Sequence, residues 1–125
     1  MNKLMKVALT PIVAIFSITT LNLANISQAS ANDLALNLCT YAQGDDRLRM
    51  RNKLRDERFR LRQVYESVKC NGMSLIQFAA SNGSEDIAEF MISQLPSSSL
   101  ESYEYADWLE QNGYSKRIID AVKNR

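Results

Sequence analysis

The chain has 125 residues, with 15 basic against 14 acidic side chains, a formal net charge of +1 and no histidine. That length holds one small domain and no more once a leader is removed. The missing histidine excludes Ser-His and Cys-His nucleophile pairs and an ordinary zinc centre, and the near balance of charge speaks against a nucleic-acid binder.

Lys3 and Lys6 give a short positive start, and Val7 to Leu23 is largely apolar and uncharged. Ala29-Ser30-Ala31 then places small residues where signal peptidase requires them. This pattern predicts a signal peptide over residues 1–31, cleaved after Ala31, and a periplasmic or secreted mature chain with no remaining membrane span. Pro11 and Asn22 interrupt the apolar stretch, which argues against a retained anchor. Leu36-Asn37-Leu38 lacks the small residues that precede a lipidated cysteine, so Cys39 is not expected to carry lipid.

The mature chain of 94 residues carries both cysteines, Cys39 and Cys70. In an oxidising compartment an isolated pair reads most simply as a disulfide. The alternative is two unpaired thiols, but the spacing is not the C-x-x-C of redox catalysis. A bridge would stabilise by roughly 3–4 kcal/mol in the chain-entropy model, which matters in a domain too small to bury a large core.

Leu34, Leu38 and Tyr41 or Ala42 recur at helical spacing and predict a short first helix, closed by Gln43-Gly44. Asp45-Asp46 offer N-caps to a second helix. From Arg47 to Val68 the residues Met50, Leu54, Leu61, Tyr65 and Val68 form one helical stripe. That segment reads equally as one long helix or as two with a break near Asp56-Glu57-Arg58. Asn71-Gly72 makes a tight turn, Ser74 caps a helix burying Leu75, Phe78 and Ala79, and Asn82-Gly83 ends it. Ser84 with Glu85-Asp86 starts the next helix, with Ile87, Phe90, Met91 and Leu95 inward. Pro96-Ser97-Ser98-Ser99 reads as a loop. Tyr103 to Gln111 predicts a helix with Ala106, Trp108 and Leu109, Asn112-Gly113 repeats the turn, and Ile118, Ile119 and Val122 face inward from a closing helix.

Ala79-Ala80-Ser81-Asn82-Gly83 followed by Glu85-Asp86-Ile87 resembles the helix–turn–helix core of the ankyrin repeat, with Gly72-Met73-Ser74-Leu75 ahead of it. Leu75 stands where that family has proline, and Gln77 where it has histidine. Together with the leader and Cys70-Asn71-Gly72, the chain resembles a family of short exported Gram-negative proteins known as domain of unknown function 3718. The resemblance implies an all-α fold: residues 32–125 as a single ankyrin-like domain of about three imperfect helix pairs. It also implies a binding role, because such stacks bind macromolecules and are rarely catalytic.

Charge is segregated along the chain. Asp33 to Cys70 holds nine basic and six acidic residues, and Asn71 to Arg125 four and eight. Arg47, Arg51, Arg55, Arg58 and Arg62 succeed one another at three- and four-residue steps and are expected to form one helical ridge. Such a ridge suits phosphate, anionic lipid, lipopolysaccharide or an acidic protein face. The plainer alternative is a solvated face paired with Asp56, Glu57, Glu66 or the acidic second half. Tyr103, Tyr105 and Trp108, with Tyr114, either cap the last helix pair or form an exposed aromatic platform.

Glu85, Asp86 and Glu89 suit a helix N-terminus, while Glu101, Glu104, Asp107 and Glu110 share a face but lack the loop spacing of a calcium site. No catalytic residue, metal or cofactor is therefore expected. The sequence points to a non-enzymatic module with an unidentified protein partner, and in second place to an envelope protein binding anionic lipid through its arginines.

Overall fold

The computed structural model of the protein describes residues 23–125. It is all-helical: eight α-helices and one 3-10 turn are present among the described residues, with no strand. Most of the expected signal peptide lies outside them. The first helix, α1 (Leu23–Gln43), is longer than the Leu34–Tyr41 segment expected from the sequence and runs across the Ala31–Asn32 junction. Its Leu34, Leu38 and Ala42 are buried as the spacing predicts, with Tyr41 half-buried.

α2 (Arg47–Asp56) opens on Asp46, whose carboxylate accepts the Arg49 amide at 3.0 Å. The arginine-rich segment then breaks. Arg58 takes a left-handed backbone (φ 62°), and the Phe59 amide reaches back to the Leu54 carbonyl at 2.9 Å. This is the hydrogen-bonding pattern of a helix C-terminus that normally uses glycine. Beyond it lie α3 (Leu61–Val64) and a 3-10 turn (Tyr65–Ser67). The apolar stripe survives the break, since Met50, Leu54, Leu61, Tyr65 and Val68 are all buried.

Cys70 and Met73 exchange backbone hydrogen bonds around left-handed Asn71-Gly72, and Cys39–Cys70 forms a disulfide with Cα atoms 5.7 Å apart. That bridge ties α1 to the turn leading into α4 (Leu75–Ser81). Ser74 and Gln77 make a reciprocal capping box at the α4 start. Gln77 therefore serves the start of its own helix.

α5 (Glu85–Gln94) is capped differently from the expectation. The Ser84 hydroxyl donates to the Gln43 carbonyl, and the Ile87 amide is accepted by Asp45, 42 residues away in sequence, at 2.8 Å. Pro96-Ser97-Ser98-Ser99 is not a loop. Pro96 precedes α6 (Ser97–Ser102), since its fixed φ suits a helix start, and the helix is anchored by buried Leu100. The helix expected from Tyr103 begins as α7 (Tyr105–Gln111) after a left-handed Glu104, and α8 (Lys116–Lys123) closes the fold.

The turns at Asn82-Gly83 and Asn112-Gly113 share one geometry. Each glycine is left-handed, each asparagine amide donates to the carbonyl four residues back at 2.8 Å, and each following amide reaches five residues back. α1 packs on α4 and α2; α5 packs on α4, α2, α3 and α8; α7 packs on α6 and α8.

An arginine-lined groove

α2 sorts its basic side chains by helical phase. Arg49 pairs with Asp46, and Lys53 pairs with Glu57 at 3.0 Å and Asp33 at 3.6 Å. The Glu57 hydrogen bond does most to hold the Lys53 ammonium above its ordinary pKa. Arg47, Arg51 and Arg55 lie one turn apart on another face. They border a groove of about 740 Å³ with Leu54, Phe59, Arg60, Leu61, Arg62, Phe90, Ser93 and Gln94.

The walls of this groove are α2, the Phe59-Arg60 link into α3, and the second half of α5. Its lining includes five arginines and no carboxylate. Leu54, Phe59, Leu61 and Phe90 give it an apolar side, and the Arg47 guanidinium sits 5.6 Å from the centroid of the Phe90 ring. Only Arg55 among the five pairs with an acid, exposed Asp56 at 3.7 Å. Arg47, Arg51, Arg60 and Arg62 make no ion pair among the described residues.

The expected continuous ridge is thus corrected in two places. The helix ends at Asp56, so Arg58 turns out of line and does not border the groove; Arg60, off the ridge spacing, takes its place. The internal pairing offered as the plainer alternative is also absent for most of these arginines. Glu57 goes to Lys53, Glu66 lies against the Tyr103 hydroxyl, and Glu85, Asp86 and Glu89 all face Arg117. The sequence signal for Arg60 was Phe59, an apolar residue out of phase with the Leu54–Leu61 stripe.

Of the two readings of the aromatics, the cap agrees with their burial and the exposed platform does not. Tyr105 is 1% exposed, and its hydroxyl hydrogen-bonds that of buried Tyr65 at 2.5 Å. Tyr103 stacks on Tyr105 and Trp108 on Tyr114, each pair with ring centroids 5.1 Å apart. Tyr103 and Trp108 are half-buried against the core, so these aromatics seal its edge rather than stand out from it.

Fold and groove together define a small, disulfide-bonded, all-α protein with a cationic cleft. No helix among the described residues is long and apolar enough to cross a membrane. The family model described as protein of unknown function (DUF3718) matches residues 38–102, over half of the chain, and the chain belongs to that family. The matched segment contains both cysteines and every residue bordering the groove. No curated protein and no solved structure matches the chain.

Proposed function

We propose that this protein is an exported, non-catalytic binding module, built as a short ankyrin-like stack of helix pairs, whose arginine groove receives an anionic partner. The observation that carries this reading is the groove lining itself: five arginines, four of them without an acidic partner, around an apolar side. Guanidinium groups left unneutralised by the fold are available for phosphate or carboxylate, which they grip through paired N–H donors. Export is supported by the leader sequence and by the Cys39–Cys70 bridge, which suits an oxidising compartment. The stack is supported by the pairs α1/α2, α4/α5 and α7/α8, by the contacts α1 to α4 and α2 to α5 to α8, and by the matched Asn-Gly turns.

The test is an NMR titration of the arginine side-chain N–H signals with inorganic pyrophosphate. Shifts should concentrate on Arg47, Arg51, Arg55, Arg60 and Arg62. An Arg47→Glu/Arg51→Glu/Arg62→Glu variant should weaken the interaction by roughly tenfold or more, as expected for lost charge-assisted hydrogen bonds. An Arg58→Glu variant should leave it nearly unchanged. Shifts spread evenly over Arg117 and Arg125 would sink the reading.

A further inference from the structure

We infer that the occupant of this cationic face is the headgroup layer of an anionic phospholipid surface. Arg47, Arg51, Arg55, Arg60 and Arg62 take headgroup phosphates while Leu48 and Phe59 enter the interfacial region. This rests on the anion-binding reading above and names its partner.

The first argument is where the exposed apolar side chains lie. The large hydrophobic residues exposed among the described residues are Leu36, Leu48 and Phe59. Leu48 sits between Arg47 and Arg49 and one turn before Arg51, and Phe59 sits between Arg58 and Arg60. The groove recesses buried Leu54 and Leu61 among its arginines, as a protein-docking surface would, but Leu48 and Phe59 do not follow that arrangement. Here Leu48 is 65% and Phe59 44% exposed, so both stand out from the cationic surface. Protruding apolar residues within a field of basic ones suit an anionic lipid interface, where apolar burial and electrostatic attraction add.

Charge placement gives the second argument. Residues 47–62 contain eight basic and two acidic side chains, and both acids, Asp56 and Glu57, are held by Arg55 and Lys53. Among the described residues Glu101, Glu104 and Asp107 make no ion pair; they belong to α6, α7 and the link between them, and α7 packs on α6 and α8. The molecule therefore carries opposite charge on separate elements, and a negatively charged surface orients it with α2 inward. Seven of the eight basic residues are arginine, whose planar, weakly hydrated guanidinium suits phosphate oxygens better than an ammonium does.

The experiment is flotation of the protein, recovered in processed form from an exporting host, with phosphatidylglycerol vesicles and with phosphatidylcholine vesicles as the uncharged control. Binding should be confined to phosphatidylglycerol and fall steeply as salt shortens the Debye length. Arg47→Gln/Arg51→Gln/Arg62→Gln should lower partitioning about a hundredfold, near one decade or less per removed charge. Leu48→Ser, outside the groove lining, should lower it severalfold while leaving the pyrophosphate titration intact, and Leu48→Ser/Phe59→Ser should lower it roughly tenfold for the lost apolar burial. Both substituted side chains of that double variant are exposed, and circular dichroism checks that its helices persist.

Lipid binding that is unchanged in any of these variants overturns the inference. So does absence of binding to phosphatidylglycerol. If the groove arginines still respond to pyrophosphate in that case, the anion-binding reading stands and the partner is an acidic protein or a soluble anion. If they do not, both readings fail together.

Discussion

Between Asp33 and Cys70 each of the six acidic side chains has a partner, whereas Arg47, Arg51, Arg58, Arg60 and Arg62 have no carboxylate. Between Asn71 and Arg125 the pattern inverts. All four basic side chains are engaged: Lys116 with Asp120, Arg117 with Glu85, Asp86 and Glu89, Lys123 with Glu110, and Arg125 with the Ile92 and Leu95 carbonyls. The second half uses its scarce charge to fasten α8 to α5 and α7 and to cap the end of α5. The first half commits its acids to caps and to α2 and leaves its surplus arginines facing outward. A surplus that the fold does not neutralise is the physical basis for expecting a ligand there and not around Arg117.

The largest effect on stability is expected where the two regions are tied covalently. The Cys39–Cys70 bridge joins α1 of the arginine-rich half to the turn that begins the acidic half. A Cys39→Ser/Cys70→Ser variant should lose about 3–4 kcal/mol in urea unfolding. The wild type should not react with a thiol reagent until it has been reduced. Hydrogen exchange on the variant should show α1 and α2 opening before α5 and α8, because the latter pair keeps its ion pairs. Equal loss of protection everywhere would mean that the halves are not separable units.

A second seam is polar and buried. The Tyr65 hydroxyl meets that of Tyr105 and also accepts the Ile76 amide at 3.3 Å. Tyr65→Phe strands both partners and should cost about 1–3 kcal/mol. Tyr105→Phe should cost less, and the double variant less than the sum of the two. Burial pushes the Tyr65 and Tyr105 phenols above their ordinary value, and burial with Glu66 pushes Tyr103 up to about 12. A phenol whose folded pKa is raised favours the folded state fully below the unfolded value. Stability should therefore be level up to about pH 10, the ordinary tyrosine pKa, and fall as pH climbs toward 12. In Tyr65→Phe that alkaline fall should be shallower; an unchanged slope would place its source elsewhere.

Much of the fold was legible because burial leaves a periodic trace. Met50, Leu54, Leu61, Tyr65 and Val68 are core residues whether their segment is one helix or two, so the stripe identified the inward face while leaving the break open. The break itself has no compositional mark, since Arg58 occupies a left-handed position that glycine would have announced. That single residue decides the groove: Arg47, Arg51 and Arg55 border it from α2, Arg62 borders it from α3 beyond the break, and Arg60 stands where Arg58 was expected. Tertiary partners were not legible. Nothing local marks Asp45 as the cap of α5, or Arg117 as the counter-charge to three acids on another helix. The proline and serines of residues 96–99 misled for a related reason, because Leu100 supplies the burial that turns a permissible helix start into a real one.

The smallest effect tests the contrast in charge directly. Arg117 grips Glu89 through two nitrogens, with Nε and Nη2 each 2.7 Å from a carboxylate oxygen, and Nη2 also lies 2.6 Å from Asp86. The Glu89 and Asp86 hydrogen bonds hold its guanidinium above the ordinary arginine pKa. The cluster is half open to solvent, and exposed pairs contribute little even when their geometry is good. Arg117→Ala should therefore lower Tm by no more than a few degrees at low salt, and by less once salt screens the acids. Arg51→Ala removes a cation with no acidic partner and relieves repulsion along α2, so it should leave Tm unchanged or raise it slightly. Anion binding should respond in the opposite order, weakened by Arg51→Ala and indifferent to Arg117→Ala. If both substitutions lower Tm alike and neither affects binding, the arginines of the groove belong to the structure and not to a ligand.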